Sequence, residues 1–302
     1  MEEKTSEQPF RAGYVAIIGA PNVGKSTLMN DFLQQKISIV TPKPQTTRNR
    51  ILGIRSGENF QIIFLDTPGL LEPAYLLQES MMKSARSAID DADIILFMVE
   101  ATNVKPSLNG DRNISLLETL QKPVYLVINK IDLVKKASLL PAMDLYSKLY
   151  RFDEIFPVSA LTLDGVRELK DFLIQALPQH PAFYPADMVS DQSERFFVAE
   201  IIREKIFEGF RQEIPYSATV EIVEFKEREG EKDFISAEIY VERSSQKSIL
   251  IGRGGQALKE VGQLSRKDIE KFLNRPVYLE LHVKVREGWR DNKSWLKRFG
   301  YS

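Results

Sequence analysis

Between the apolar run Tyr14–Ile18 and the helix-forming stretch Lys25–Leu33, the chain reads Gly19-Ala20-Pro21-Asn22-Val23-Gly24-Lys25-Ser26-Thr27. No other feature constrains the fold as strongly, because the spacing G-xxxx-G-K-S works only between a strand and a helix. Its glycines let successive backbone N–H groups converge, and the helix that follows adds the positive end of its dipole. Such a concavity is built for phosphate oxygens. Lys25 is placed to bridge the two outer phosphates of a nucleotide, and the Ser26 hydroxyl to ligate Mg²⁺. A glycine-rich turn without function can share this spacing, but the strand before it and the helix after it argue against chance.

Short apolar runs and helical stretches alternate from Gly13 to about Leu177. Tyr14–Ile18, Phe60–Leu65, Ile94–Val99, Val124–Ile128 and Ile155–Val158 read as buried strands; Lys25–Leu33, Leu76–Ile89, Leu139–Leu149 and Gly165–Leu177 read as helices. This grammar predicts an α/β P-loop domain over residues 11–178, with a mixed, mostly parallel sheet covered by helices. Residues 1–10 are polar and acidic and are expected to be disordered. Leu177–Pro185 holds three prolines in nine residues, so 179–190 reads as a stiff extended linker. The remainder, 191–302, runs helix (Ser193–Phe210), strand (Ala218–Lys226), strand (Phe234–Arg243), glycine-rich break, helix (Leu258–Leu273) and strand (Pro276–Val285), a smaller α+β domain.

Three further motifs follow the strands. Asp66-Thr67-Pro68-Gly69-Leu70 succeeds the second run, Asn129-Lys130-Ile131-Asp132 the fourth, and Val158-Ser159-Ala160 the fifth. Together with the loop they resemble the GTPase superfamily. The resemblance implies that Asp132 accepts two hydrogen bonds from guanine, that Asn129 meets the purine's other edge and that the Lys130 stem lies along its face. Adenine offers no such donor pair, so a covered carboxylate would reject it. It also implies that Ala160, beside Ser159, donates to the guanine carbonyl, that Gly69 meets the γ-phosphate and that Asp66 holds Mg²⁺ through water. Gln45-Thr46-Thr47-Arg48-Asn49 matches the first switch and Asp66-Thr67-Pro68-Gly69-Leu70 the second; either Thr46 or Thr47 would ligate Mg²⁺ with GTP bound, and Thr47 is preferred. Leu70 stands where signalling members carry the glutamine that positions water, so intrinsic hydrolysis should be slow. Asn22 resembles the asparagine of members that bind a monovalent cation, K⁺, in place of an arginine finger; the alternative is that it only stabilises the loop.

In the second half, Lys247 and Ile249-Leu250-Ile251 precede Gly252-Arg253-Gly254-Gly255, followed by an amphipathic stretch containing Lys259. An apolar turn, a G-x-x-G and a helix in this element order resemble a KH domain (type II), which clamps single-stranded RNA rather than DNA at that loop. Net charge supports an anionic partner there: residues 243–302 carry 14 Lys and Arg against 6 Asp and Glu, whereas 191–242 carry 7 against 14. Trp289, Trp295 and Phe299 of the tail could stack on RNA or pack the tail onto its own domain. The whole pattern, from about Arg11 to Tyr301, is similar to the Era family of bacterial GTPases. That resemblance implies a monomer binding the 3′ end of small-subunit ribosomal RNA, a role in assembling the small ribosomal subunit, and peripheral membrane association. A GTP-regulated membrane switch linked to the cell cycle, and a phosphoryl-transferring enzyme, are the competing classes; no second substrate pocket is legible for the latter.

The chain has no cysteine and two histidines far apart in sequence, His180 and His282, which excludes disulfide frameworks and thiolate or histidine metal sites. The polar N-terminus predicts no secretory leader and the apolar runs are strand-length, so a cytoplasmic protein is expected.

Overall fold

A computed structural model describes residues 9–103 and 112–301. The first eight residues, most of the stretch expected to be disordered, lie outside them. Contacts divide the chain into two compact units. The first takes the stretch ending at Ser38, Asn49–Leu71 and Met82–Asp191; the second takes Ile39–Arg48, Glu72–Met81 and Gln192–Ser302.

In the first unit the order is β1 (Arg11–Gly19), α1 (Lys25–Leu33), β2 (Ile51–Ser56), β3 (Phe60–Asp66), α2 (Leu76–Asp91), β4 (Ile94–Glu100), α3 (Arg112–Leu117), β5 (Val124–Asn129), α4 (Leu139–Leu149), β6 (Glu154–Pro157) and α5 (Val166–Ala176). The first residues of α2, up to Met81, count with the second unit. The strands form one sheet in the order β2-β3-β1-β4-β5-β6, parallel except for β2 against β3. Ala16, Ile18, Ile63, Leu65, Phe97 and Leu126 fill one face with Ala88 and Ile89 of α2; on the other, Phe32 of α1 stacks on Phe64 at 4.8 Å between centroids. Continuous apolar runs are what such a doubly covered sheet requires.

Strand β2 was not foreseen: Ile51-Leu-Gly-Ile-Arg-Ser mixes polar and apolar residues and pairs only through β3. Its edge explains the behaviour of the proline-rich segment, which is extended but not free-standing. Ile54 N donates to Val189 O at 2.7 Å and Ser190 Oγ to Leu52 O at 2.5 Å. The buried Gln61 amide holds Phe183 N, Tyr184 N and Tyr184 O. The segment covers backbone groups that an open edge would expose.

The second unit contains α6 (Glu194–Gly209), α7 (Ile214–Ser217), β7 (Thr219–Lys226), β8 (Asp233–Val241), α8 (Ser244–Ile251), α9 (Gln256–Leu273), β9 (Val277–Val285) and α10 (Lys293–Arg298). Strand β8 is central, antiparallel to β7 and parallel to β9. A parallel pair needs a long crossover, and α8, the glycine loop and α9 supply it. Val261, Ser265, Ile269 and Leu273 of α9 are buried at four-residue spacing, one helical stripe against the sheet. The apolar residues Ile249–Ile251, read from sequence as a turn, are the last turn of helix α8. The tail packs onto its own unit at Trp289, which is fully buried and donates from Nε1 to Ser217 O at 2.9 Å.

Candidate functional site

Strands β1, β3 and β5 end at Gly19, Asp66 and Asn129, so their motifs gather at the carboxyl edge of the parallel sheet, where open α/β folds bind ligands. Gly24 caps α1 with φ of 102°, and a Cβ there would lie 2.2 Å from Asn129 Nδ2; only glycine fits. Asn129 is the bracket of the site. Its Nδ2 donates to Val23 O at 2.7 Å and its Oδ1 accepts from Ala160 N at 2.9 Å, joining the phosphate loop to both guanine motifs. In the protein alone, two groups assigned from sequence to the base are thus bonded to each other. Ser159 Oγ donates to Asp132 Oδ1 at 2.6 Å and aims that carboxylate, which is exposed. Any penalty for leaving it unpaired therefore arises only once a base covers it. Lys130, left-handed at φ 64°, pairs its amine with Glu100, a partner that sequence did not suggest.

Lys25 is buried and turns its Nζ back onto Gly19 O and Ala20 O, at 3.2 and 2.9 Å. Burial pulls the ammonium down to about 8, with the charge of Asp66 opposing. Asp66 is itself fully buried; Ser26 Oγ donates to its Oδ2 at 2.7 Å, while Oδ1 has no hydrogen-bond partner. Burial raises the Asp66 pKa, against Ser26 and Lys25. A buried, half-satisfied carboxylate beside a hydroxyl fits a hard divalent cation such as Mg²⁺, which takes oxygen ligands and few protein groups. Among the described residues no three His, Cys, Asp or Glu side chains cluster as an all-protein metal cage.

Thr67 Oγ1 donates to Ile17 O at 2.8 Å and Leu70 N to Gly19 O at 2.9 Å, fixing the D-T-P-G turn beside the phosphate loop. The Leu70 side chain packs on the hydrophobic core and has no polar group to offer. Exposed Asn22 has φ of 64° within the loop.

Gln45, Thr46, Thr47 and Arg48 fold into the second unit, whereas Asn49 counts with the first. Arg48 is almost fully buried and donates to Ala218 O, Pro215 O and Tyr216 O at 2.8, 3.0 and 3.1 Å. Its guanidinium lies about 6 Å from the ring centres of Phe207, Trp289 and Tyr301. Arg203, buried in α6, donates to Thr46 O, and Lys43 to Phe207 O and Phe210 O. The Thr46 hydroxyl bonds Lys43 O and Thr41 Oγ1. In the same unit Asp291 Oδ1 accepts from Leu76 N, Ser80 Oγ donates to Tyr301 O, and Tyr75 OH donates to Gln45 Oε1. Sequence reading missed these anchors because nothing local marks one buried arginine on a helix from an exposed one.

At the G-x-x-G, Gly252 has φ 74° and a Cβ there would strike Ala257, whereas Gly254 at φ 59° faces open space. Arg253, Gly254 and Lys259 are exposed, and Lys247, Ile251 and Gly255 partly so. A strand of nucleic acid can therefore approach this backbone closely, with two cations flanking it.

Fold and motifs together define a class, a P-loop GTPase carrying a C-terminal KH domain. The family described as 50S ribosome-binding GTPase matches residues 14–130, and the KH domain family matches 213–290. The GTPase Era of Geobacter metallireducens is 49% identical over 298 residues, covering 98% of this chain and 100% of the relative. Two solved structures match along the length. One, a variant of Aquifex aeolicus Era bound to GDP·AlF₄⁻, has a TM-score of 0.92 at 42% identity, covering 97% of this chain and 100% of that one. The other, Era with MgGDPNP and nucleotides 1506–1542 of 16S ribosomal RNA, has a TM-score of 0.93 at 43% identity, covering 97% and 99%. The chain belongs to the Era family of GTPases.

Proposed function

We propose that the protein is a GTP-binding and GTP-hydrolysing switch that uses Mg²⁺, binds single-stranded small-subunit ribosomal RNA through its KH domain and acts in assembly of the small ribosomal subunit. The relative solved with MgGDPNP and a 16S fragment supports the ligands. The observation that supports the coupling between them is the membership of the second unit: Ile39–Arg48, which holds all of the first switch but Asn49, and Glu72–Met81, which follows the second switch Asp66–Leu70, pack with the KH residues. A nucleotide that reorders those segments must break or remake their contacts with α6, α7 and the tail, which biases the RNA-binding unit.

The geometry supports the following roles. Backbone N–H groups of the phosphate loop other than Pro21, and that of Gly69, would donate to phosphate, and Lys25 would leave its two carbonyls to neutralise the charge that develops on the outer phosphates. Ser26 and Asp66 hold Mg²⁺, which supplies charge at the γ-phosphate. Of the two threonines of the first switch, Thr47 is the one preferred as the further Mg²⁺ ligand. Asp132, aimed by Ser159, reads guanine. With Leu70 packed on the core, the side chain at that position cannot orient water; Asn22 is the residue that would hold a K⁺ ion, which would supply positive charge beside the phosphates. Equal GTPase rates in sodium and potassium buffers would remove that last role.

Binding of an RNA oligomer and of anionic vesicles, each measured with GTP and GDP analogues, tests the reading. RNA binding that depends on nucleotide and falls at least tenfold in Gly254→Asp is expected. RNA binding indifferent to both would end the coupled-switch reading, and vesicle binding alone would favour the membrane switch. Residence in the cytoplasm, with or without peripheral membrane contact, belongs to the same proposal; among the described residues no helix is long and apolar enough to cross a membrane.

A further inference from the structure

Three side chains of the tetrad Asn129–Asp132 are assigned to the base, and each is held from a different place. Asn129 is fastened to Val23 O and Ala160 N, and Asp132 accepts from Ser159 Oγ. The holder of Lys130 is Glu100, the last residue of β4, whose Oε2 lies 2.5 Å from Lys130 Nζ. Strand β4 carries none of the nucleotide motifs. It nevertheless ends where a carboxylate can serve the tetrad, because Glu100 stands opposite Asn129 in the parallel ladder with β5.

Both ends of the Lys130 side chain are therefore fixed. At its root the backbone is left-handed, with φ 64° and ψ 36°, a conformation that costs a residue with a Cβ and that clusters at ligand sites. At its tip the ammonium is drawn to Glu100, and the Lys130 and Glu100 side chains are only 30% and 27% exposed. A surface lysine without a partner keeps its ammonium in water and spreads its four-carbon stem over many rotamers. Here the stem is stretched between two anchors and becomes an apolar strip of defined position. Exposed ion pairs do little for the stability of a fold, so folding alone does not account for this one.

We propose that Glu100 is a positioning residue for the guanine site: it holds the Lys130 ammonium so that the stem lies ready as one wall for the purine ring. A side chain that a ligand must order subtracts its lost rotamers from the binding free energy, and one already ordered does not. The gain is indifferent to the ring's substituents, because a methylene stem meets the face of the ring and reads no hydrogen bonds. Glu100 thus raises affinity for the purine ring, while Asn129 and Asp132 choose which ring it is. The inference rests on the guanine-nucleotide reading given above.

The test is binding of GDP and of inosine diphosphate, which lacks the exocyclic amine, in competition with a fluorescent GDP analogue. The full-length protein is used as wild type, Glu100→Gln, Lys130→Met and the double variant, with melting temperatures taken without nucleotide. Glu100→Gln keeps the shape and removes the charge. It is expected to weaken both nucleotides alike by about fivefold, to leave the melting temperature in place and to have no effect when position 130 is methionine. A loss smaller than twofold overturns the proposal. So does a loss that persists in the Lys130→Met background, or one that falls on GDP and spares inosine diphosphate, since each means that Glu100 acts through other groups. Glu100→Ala must show the same loss and keeps the test decisive if the glutamine variant fails to fold. If wild type does not prefer GDP to ADP, the guanine reading itself fails, an outcome distinct from failure at Glu100.

Discussion

Lys25 and Arg48 are both buried cations held by backbone carbonyls, and they are buried for opposite reasons. Lys25 is held by Gly19 O and Ala20 O, carbonyls of its own loop within six residues. Its ammonium is pulled down to about 8 by burial, which marks a charge that awaits an anion. Arg48 is held by carbonyls of residues 215, 216 and 218 and by three rings, all more than 150 residues away. Burial lowers its pKa as well, but a guanidinium stays charged, and its donors are already met. One cation is prepared for a ligand; the other is the ligand of its own fold. The first belongs to a motif, the second to a tertiary arrangement.

The largest effect is expected where the site has most to lose. Asp132→Asn replaces the carboxylate proposed to accept two base hydrogen bonds, each worth about 1.5–3 kcal/mol, so GTP affinity by calorimetry should fall at least a hundredfold with ATP affinity unimproved. Lys25→Met removes charge that the transition state needs; single-turnover hydrolysis should slow by about 10²–10³, while the nucleotide-free protein keeps or gains stability. Arg48→Ala should behave in the opposite way. It leaves three carbonyls unmatched in the core and should cost about 3 kcal/mol of stability in urea unfolding, with GTP affinity within a fewfold of wild type. If instead Lys25→Met unfolds the protein and Arg48→Ala only weakens GTP binding, the contrast drawn between them is wrong.

The smallest effect is a pH dependence. Lys25 titrates near 8 in the folded, nucleotide-free protein and near 10.4 when unfolded. Below pH 8 both states hold the proton and the folded state bears the full cost of the buried charge. Between pH 8 and about 10.4 only the unfolded state holds it, so this contribution to stability rises with pH, by about 3 kcal/mol in all. Chemical denaturation at pH 7.5 and pH 10 should show that rise in wild type relative to Lys25→Met, where the term is gone. Saturating GDP and Mg²⁺ should reduce it, since phosphate favours the charged lysine.

Much of the first unit was legible because its signals are local. The loop Gly19–Ser26, the turn at Asp66–Gly69 and the tetrad Asn129–Asp132 each sit at the end of a strand whose apolar run announces itself. Strand β2 was not, since an edge strand is stabilised by pairing with β3 and by the cover of residues 189 and 190 rather than by its own composition. The same holds for helix α8, whose Ile249–Ile251 reads as a turn beside glycine until its first turn, Ser244–Lys247, is seen to be helical. Trp289 could have stacked on RNA as far as its neighbours in sequence could say. Its burial against Ser217 is a long-range contact, and no local pattern carries it.

By itself the sequence determined which motifs stand at the ends of the strands and the existence of two folding units, because spacing between backbone turns and the periodicity of apolar residues are properties of the chain. Tertiary structure alone decided that most of the first switch, and the stretch after the second, belong with the KH residues. Residues 39–48 and 72–81 lie in sequence among the elements of the GTPase sheet, yet their backbone and side-chain partners come from α6, α7 and the tail. The reason is physical: a buried polar group outside regular structure must take whatever buried acceptors and rings the folded chain presents. For Arg48 these came from residues 207 to 301.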